Sequence, residues 1–143
     1  MTKTPRELVE RFYSVVWNEA DEAVARQILD PDFRFRGSLG PELRGPSGFI
    51  VYLRALHAAL ENFTCNVEDL VIMGNRAAAR MRFHGKHRGP LFGVAATGRD
   101  IVWSGAAFFT MRDDRIAELW VLGDIDAVKR QLMPDHPGRS FSC

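Results

Sequence analysis

The sequence predicts an α+β protein, with three N-terminal helices laid against one face of a curved antiparallel sheet made by the C-terminal half. Three observations carry that expectation. Apolar residues recur every three or four positions as far as about residue 61, the marker of amphipathic helices. From Phe63 onward the period drops to two, the marker of strands. Turn signals at Gly74-Asn75 and at Arg112-Asp113-Asp114-Arg115 then cut the second half into successive antiparallel strands.

Thr4-Pro5-Arg6-Glu7 is a capping box with proline at the first helical position, where its missing N–H costs nothing. Leu8, Val9, Phe12, Val15 and Val16 follow at helical spacing. Asn18 to Asp21 breaks this helix, and Asp21 caps a second from Glu22 to Leu29, which Asp30-Pro31-Asp32 ends. Phe33 to Arg36 alternates as a short strand, and Gly37 to Gly45 is a loop. A third helix runs from Phe49 to Glu61, with Phe49, Ile50, Leu53, Leu56 and Leu60 as its apolar stripe. Strands are expected over Phe63–Met73, Arg76–His87, Ile101–Met111 and Ile116–Asp124, followed by a short closing helix from Ile125 to Leu132.

Residues 1–132 are expected to form a single domain, and residues 133–143, with two prolines, a flexible tail. The 46% hydrophobic share and the balance of 19 basic against 18 acidic residues describe an ordinary globular chain. A net charge of +1 gives no support for nucleic-acid binding. Cys65 and Cys143, the only two cysteines, imply no disulfide framework. No apolar signal region opens the chain, and no run approaches the ~18 residues of a spanning helix. A cytoplasmic protein without a membrane partner is therefore expected. P-loop, dinucleotide-fingerprint, zinc-spacing and serine-elbow motifs are all missing from the sequence.

The last hairpin draws attention to one carboxylate. With Met111 and Ile116 flanking a four-residue turn, Trp103 falls opposite Asp124, Gly105 opposite Leu122, Ala107 opposite Trp120 and Phe109 opposite Glu118. That face would carry two tryptophans, two small residues leaving space, and Asp124, which reads as a pocket wall. On the preceding strand His87 shares parity with Phe83 and Met81, while a bulge at Gly85 would exchange that set with Arg80, Arg82 and His84. An acid at the end of an apolar strand is costly to bury unless it is paired or kept neutral, so such a position suggests a site. The same residue also fits a helix N-cap before Ile125-Asp126-Ala127. His84 and His87, three apart on a strand, point to opposite faces and do not make a metal pair.

With these residues in view, the chain resembles the SnoaL-like polyketide cyclases (ester cyclases) of the nuclear-transport-factor-like superfamily, which also holds ketosteroid isomerases. The resemblance rests on Gly85-Lys86-His87-Arg88-Gly89, on Gly93-Val94-Ala95-Ala96-Thr97-Gly98-Arg99 and on Trp120-Val121-Leu122-Gly123-Asp124, and covers roughly residues 5 to 130. Lys86 and Ala95-Ala96 depart from the group's usual threonine and proline pair. The resemblance implies a cone-shaped curved antiparallel sheet closed by the three helices, a homodimer, and an apolar pocket working without metal or organic cofactor. It also implies Asp124 as the acid/base of an intramolecular aldol closure, with His87 beside it. Tyr13 matches the isomerases' oxyanion tyrosine, although their base has no counterpart here.

The expected chemistry is proton abstraction by Asp124 from a carbonyl-activated carbon of a small apolar ligand. His87 or Tyr13 would donate to the enolate oxygen, and Trp103 and Trp120 would line the substrate site. Two other readings stand beside it: a non-catalytic small-molecule-binding or dimerisation module on the same fold, and an isomerase or hydrolase of a small apolar substrate.

Overall fold

In the computed structural model, which describes residues 3–38 and 42–133, the helical half begins where the capping box places it. The amide of Glu7 donates to Thr4 Oγ1 at 3.2 Å, and α1 runs Pro5–Arg11. It continues without interruption into a π-helical segment, Phe12–Trp17, in which the amide of Asn18 reaches back five residues to the carbonyl of Tyr13. The wider turn lets Phe12, Tyr13, Val16 and Trp17 all face the interior. Helix α2, Glu22–Ile28, is capped by Asp21, whose carboxylate accepts from the amide of Val24 at 3.0 Å.

Strand β1, Leu29–Arg36, starts directly at the end of α2, four residues before the expected strand. A two-residue β2, Leu43–Arg44, pairs antiparallel with it. Helix α3, Gly45–Ala59, also begins four residues early, because Pro46 supplies a preset first turn behind Gly45 at φ +71°. The remainder is β3 (Leu60–Met73), β4 (Arg76–His87), β5 (Asp100–Arg112), β6 (Arg115–Gly123) and α4 (Ile125–Leu132).

The sheet corrects the expected architecture. Its order is β2-β1-β6-β5-β4-β3, and while β3 to β6 form an antiparallel meander, β1 lies parallel to β6. It is therefore a mixed, open sheet, neither closed nor strongly curled, and not a cone-shaped antiparallel one. The physical reason is that β1 leaves the helical half and meets β6 running the same way, a pairing that only a long crossover permits. The two edges, β2 and β3, never meet, so nothing closes the surface.

The helices cover one face of this sheet. Every second residue of β4 from Ala77 to His87, and of β5 from Ile101 to Met111, is buried against them. In β6 the alternation breaks once. Thr110 pairs with Glu118 but Met111 pairs with Ile116, leaving Ala117 as an extra residue in a bulge. Ile116 and Ala117 are both buried, and the residues beyond exchange faces. Leu119 and Val121 point inward, whereas Trp120 and Leu122 are exposed on the outer face. The expected hairpin register is thus displaced by one: Gly105 lies opposite Gly123, Ala107 opposite Val121 and Phe109 opposite Leu119. The expected tail falls outside the described residues apart from Met133, as does Cys143.

Candidate functional site: an apolar cavity between the helices and the sheet

The covered face of the sheet and the helices bound a largely apolar cavity that opens to solvent. The π-helical segment contributes Tyr13 and Trp17, and α3 contributes Tyr52 and Leu56. Opposite them stands a stack of rings, one from each of three strands. Phe83 lies parallel to Phe63, with centroids 6.0 Å apart, and to Trp103, at 5.0 Å. The expectation that Gly105 leaves empty space is not met. A Cβ there would come within 2.7 Å of the Phe83 ring, which fills the gap. Ile125 and Val128 of α4 close one side, and Leu91 and Phe92 of the loop after β4 reach the mouth.

That loop is a small hairpin. Leu91 and Val94 exchange backbone hydrogen bonds of 3.0 and 2.9 Å around Phe92 and Gly93, both at positive φ. His87 ties down its base. The backbone of His87 donates to the carbonyl of Arg99 at 2.8 Å and accepts from Gly98 at 2.9 Å, and its Nδ1 accepts from the amide of Thr97 at 3.2 Å. An Nδ1 engaged as acceptor leaves the ring proton on Nε2, and Nε2 is buried without a partner. The expected parity of His87 with Phe83 and Met81 therefore holds, since the bulge near Gly85 falls on β3, around Asn62 and Phe63.

Asp124 sits elsewhere. It follows β6 as the N-cap of α4, its carboxylate accepts from the amide of Ala127 at 3.1 Å, it is exposed, and it is not part of the cavity wall. No hydrogen bond or ion pair joins it to His87. Trp120 is also outside, 42% exposed on the outer face beneath the guanidinium of Arg36, which lies 5.1 Å from its ring. Both displacements follow from the bulge at Ala117. Of the five residues singled out from sequence, the structure places Tyr13 and Trp103 on the cavity wall and His87 at the base of the mouth loop, and it brings neither Asp124 nor Trp120 to the cavity.

The polar groups that do line the space are hydroxyls and an indole. Tyr13 is 3% exposed, its hydroxyl is buried without a hydrogen bond, and burial, reinforced by the neighbouring Cys65, holds its pKa well above the usual tyrosine value. Burial pushes Tyr52 up to about 12. Both phenols therefore remain neutral donors across the physiological range. Tyr52 was not anticipated, yet its position carried the signal: it lies three residues after Phe49 and four before Leu56, inside the apolar stripe of α3. Among the described residues no group of three or more His, Cys, Asp or Glu side chains is arranged to hold a metal ion.

The fold is shared with several solved structures. A candidate SnoaL-like polyketide cyclase from Jannaschia sp. CCS1 superposes with a TM-score of 0.82 at 23% identity, over 90% of each chain. IdmH of Streptomyces antibioticus, a candidate polyketide cyclase, gives 0.81 at 24% identity over 91% of this chain and 99% of its own. TsrD from Streptomyces laurentii is 30% identical over 89% of this chain and 92% of its own, with a TM-score of 0.79. Among curated proteins none matches. The model of the SnoaL-like polyketide cyclases matches residues 7–132, almost the whole of the described fold, and the chain belongs to that family.

Proposed function

We propose that the protein binds a largely apolar, carbonyl-bearing small molecule in this cavity and promotes proton transfer at the carbon next to that carbonyl. Tyr13 donates to the carbonyl oxygen. The observation carrying this reading is the hydroxyl of Tyr13, buried in a wall of aromatic and aliphatic side chains with no acceptor. A buried donor left unsatisfied costs about 1–3 kcal/mol, a penalty that a ligand oxygen would remove. As the α-proton leaves, charge builds on the oxygen and the same hydrogen bond strengthens, which is where catalysis gains. In a ring closure the enolate carbon would then attack a second carbonyl, forming one C–C bond while the new alkoxide takes up a proton. No carboxylate lines the cavity among the described residues, so the α-proton goes to a base from solvent, hydroxide or a buffer anion, which leaves as its conjugate acid. Asp124 caps α4 and His87 holds the loop over the entrance.

The test uses 2-tetralone, a compact apolar ketone with exchangeable α-protons, in deuterated buffer. The protein should accelerate α-deuteration, followed by proton NMR, and Tyr13→Phe should lower that rate by about 100-fold, the loss typical of one oxyanion donor. Binding without acceleration would favour a binding module on this fold. Absence of binding would refute the proposal.

A further inference from the structure

A second group of polar atoms converges elsewhere on the same cavity. Gly123, the last residue of β6, lies against it with ordinary backbone angles, so glycine is needed there for space. A Cβ at this position would stand 2.8 Å from Ser38 Oγ and 3.2 Å from Trp103 Nε1, so these two atoms flank one small gap. Tyr52 of α3 reaches the residue next to Ser38. Its hydroxyl passes so close to Gly37, the neighbour of Ser38, that a Cβ there would lie 2.7 Å from it. Ser38, Tyr52 and Trp103 all line the cavity, and none has a hydrogen-bond partner among the described residues. Their polar atoms are not among the buried, unpartnered ones, which include the hydroxyl of Tyr13.

An indole N–H can only donate, and its nine-tenths-buried ring holds it in one direction. Tyr52 is kept neutral by burial and is therefore a donor too. Arg36 adds a positive field on this side. Its guanidinium donates to the carbonyl of Val121 at 3.0 Å and acts electrostatically on the Tyr52 hydroxyl. Donors outnumber acceptors, and the nearby carboxylate of Asp124 is turned to the α4 amide of Ala127.

We propose that Trp103 Nε1, Ser38 Oγ and Tyr52 Oη form a second oxygen-binding subsite, so that the ligand carries two acceptor oxygens, one for this cluster and one for Tyr13, separated by an apolar body. This rests on the reading of the cavity as a ligand site. The second oxygen belongs to a carbonyl or a carboxylate. A molecule with only one oxygen leaves one set of donors unpaired, so the subsite selects for doubly oxygenated substrates.

The experiment compares dissociation constants, by isothermal titration calorimetry, for 2,6-diacetylnaphthalene, 6-acetyl-2-naphthoate and the oxygen-free 2,6-dimethylnaphthalene. Trp103→Phe, which keeps an aromatic ring, and Ser38→Ala, at a half-exposed site that asks little of the fold, should each weaken the better oxygenated ligand by about tenfold while changing dimethylnaphthalene less than twofold. Whichever oxygenated ligand binds more tightly identifies the second group. Tyr13→Phe should weaken that ligand further in either background. Equal losses for oxygenated and oxygen-free ligands would reduce the cluster to packing and overturn the subsite, while the Tyr13→Phe effect would still speak for the cavity. Failure of all three to bind the wild-type protein would overturn both proposals.

Discussion

Asp124 offers the sharpest test of how the site works, because its two candidate roles respond differently to two substitutions. As the N-cap of α4 it makes one bond, accepting from the amide of Ala127 at 3.1 Å, at an exposed position. Asp124→Ala removes that acceptor and should cost about 1 kcal/mol. In a domain of this size that lowers the melting temperature by roughly 3–5 °C. Asparagine is as good a cap as aspartate, so Asp124→Asn should lower it by less than about 2 °C. Neither change touches the cavity wall, and deuteration of 2-tetralone should stay within about twofold of wild type once folding is controlled for. The measurements are differential scanning calorimetry and the NMR exchange assay on the same samples. A general base lost from the reaction costs about 100-fold or more. If Asp124→Asn melts like the wild type but exchanges α-protons that slowly, the carboxylate performs the proton transfer and the assignment of the cap as its whole role is refuted.

The two tyrosines of the chain are Tyr13 and Tyr52, both with raised pKa values, which gives an alkaline signature. Below the unfolded value near 10 both states are neutral and nothing is lost. Between 10 and about 12 the unfolded chain releases protons that the folded one retains, so stability must fall as pH rises. Titration at 295 nm should show little phenolate until unfolding begins, and Tyr52→Phe should flatten the decline; phenolate absorbance with an ordinary midpoint in the folded protein would contradict the burial. The outer sheet face exposes Phe108, Trp120 and Leu122, and we propose it as the surface through which the homodimer implied by the family resemblance would pair. Trp120→Glu should convert a dimer into a monomer in sedimentation velocity without altering ligand binding, and a wild-type protein that sediments as a monomer at micromolar concentration removes the pairing.

The helices were legible because their signals are local. The Thr4/Glu7 capping box, the Asp21 cap and the Asp124 cap each reappear as hydrogen bonds, and the limits of β4 and α4 coincide with their pattern in the sequence. The parallel pairing of β1 with β6 had no such signal, because it joins segments more than eighty residues apart and depends on how the helical half crosses the sheet. The π-helical turn was equally hidden, since the spacing of Phe12, Val15 and Val16 suits an ordinary helix. What it changes is that Tyr13 and Trp17 face the cavity together.

The largest divergence reduces to one residue. Strict alternation through β6 would have set Trp120 and Asp124 beside Trp103; Ala117, bulged between Ile116 and Glu118, gives every later side chain of the strand the opposite face. The warning in the sequence was Ile116-Ala117, two adjacent apolar residues where a half-buried strand should show one. Burying both satisfies the core under the helices, and it turns Val121 toward the ligand space, brings Gly123 against Ser38 and Trp103, and leaves Asp124 free to start α4. A motif of the form W-x-x-x-D therefore describes a cavity wall only together with the register of the strand that carries it. In this chain the register puts Tyr13, Trp103 and Tyr52 on the cavity wall, and it leaves Trp120 on the outer face and Asp124 at the cap of α4.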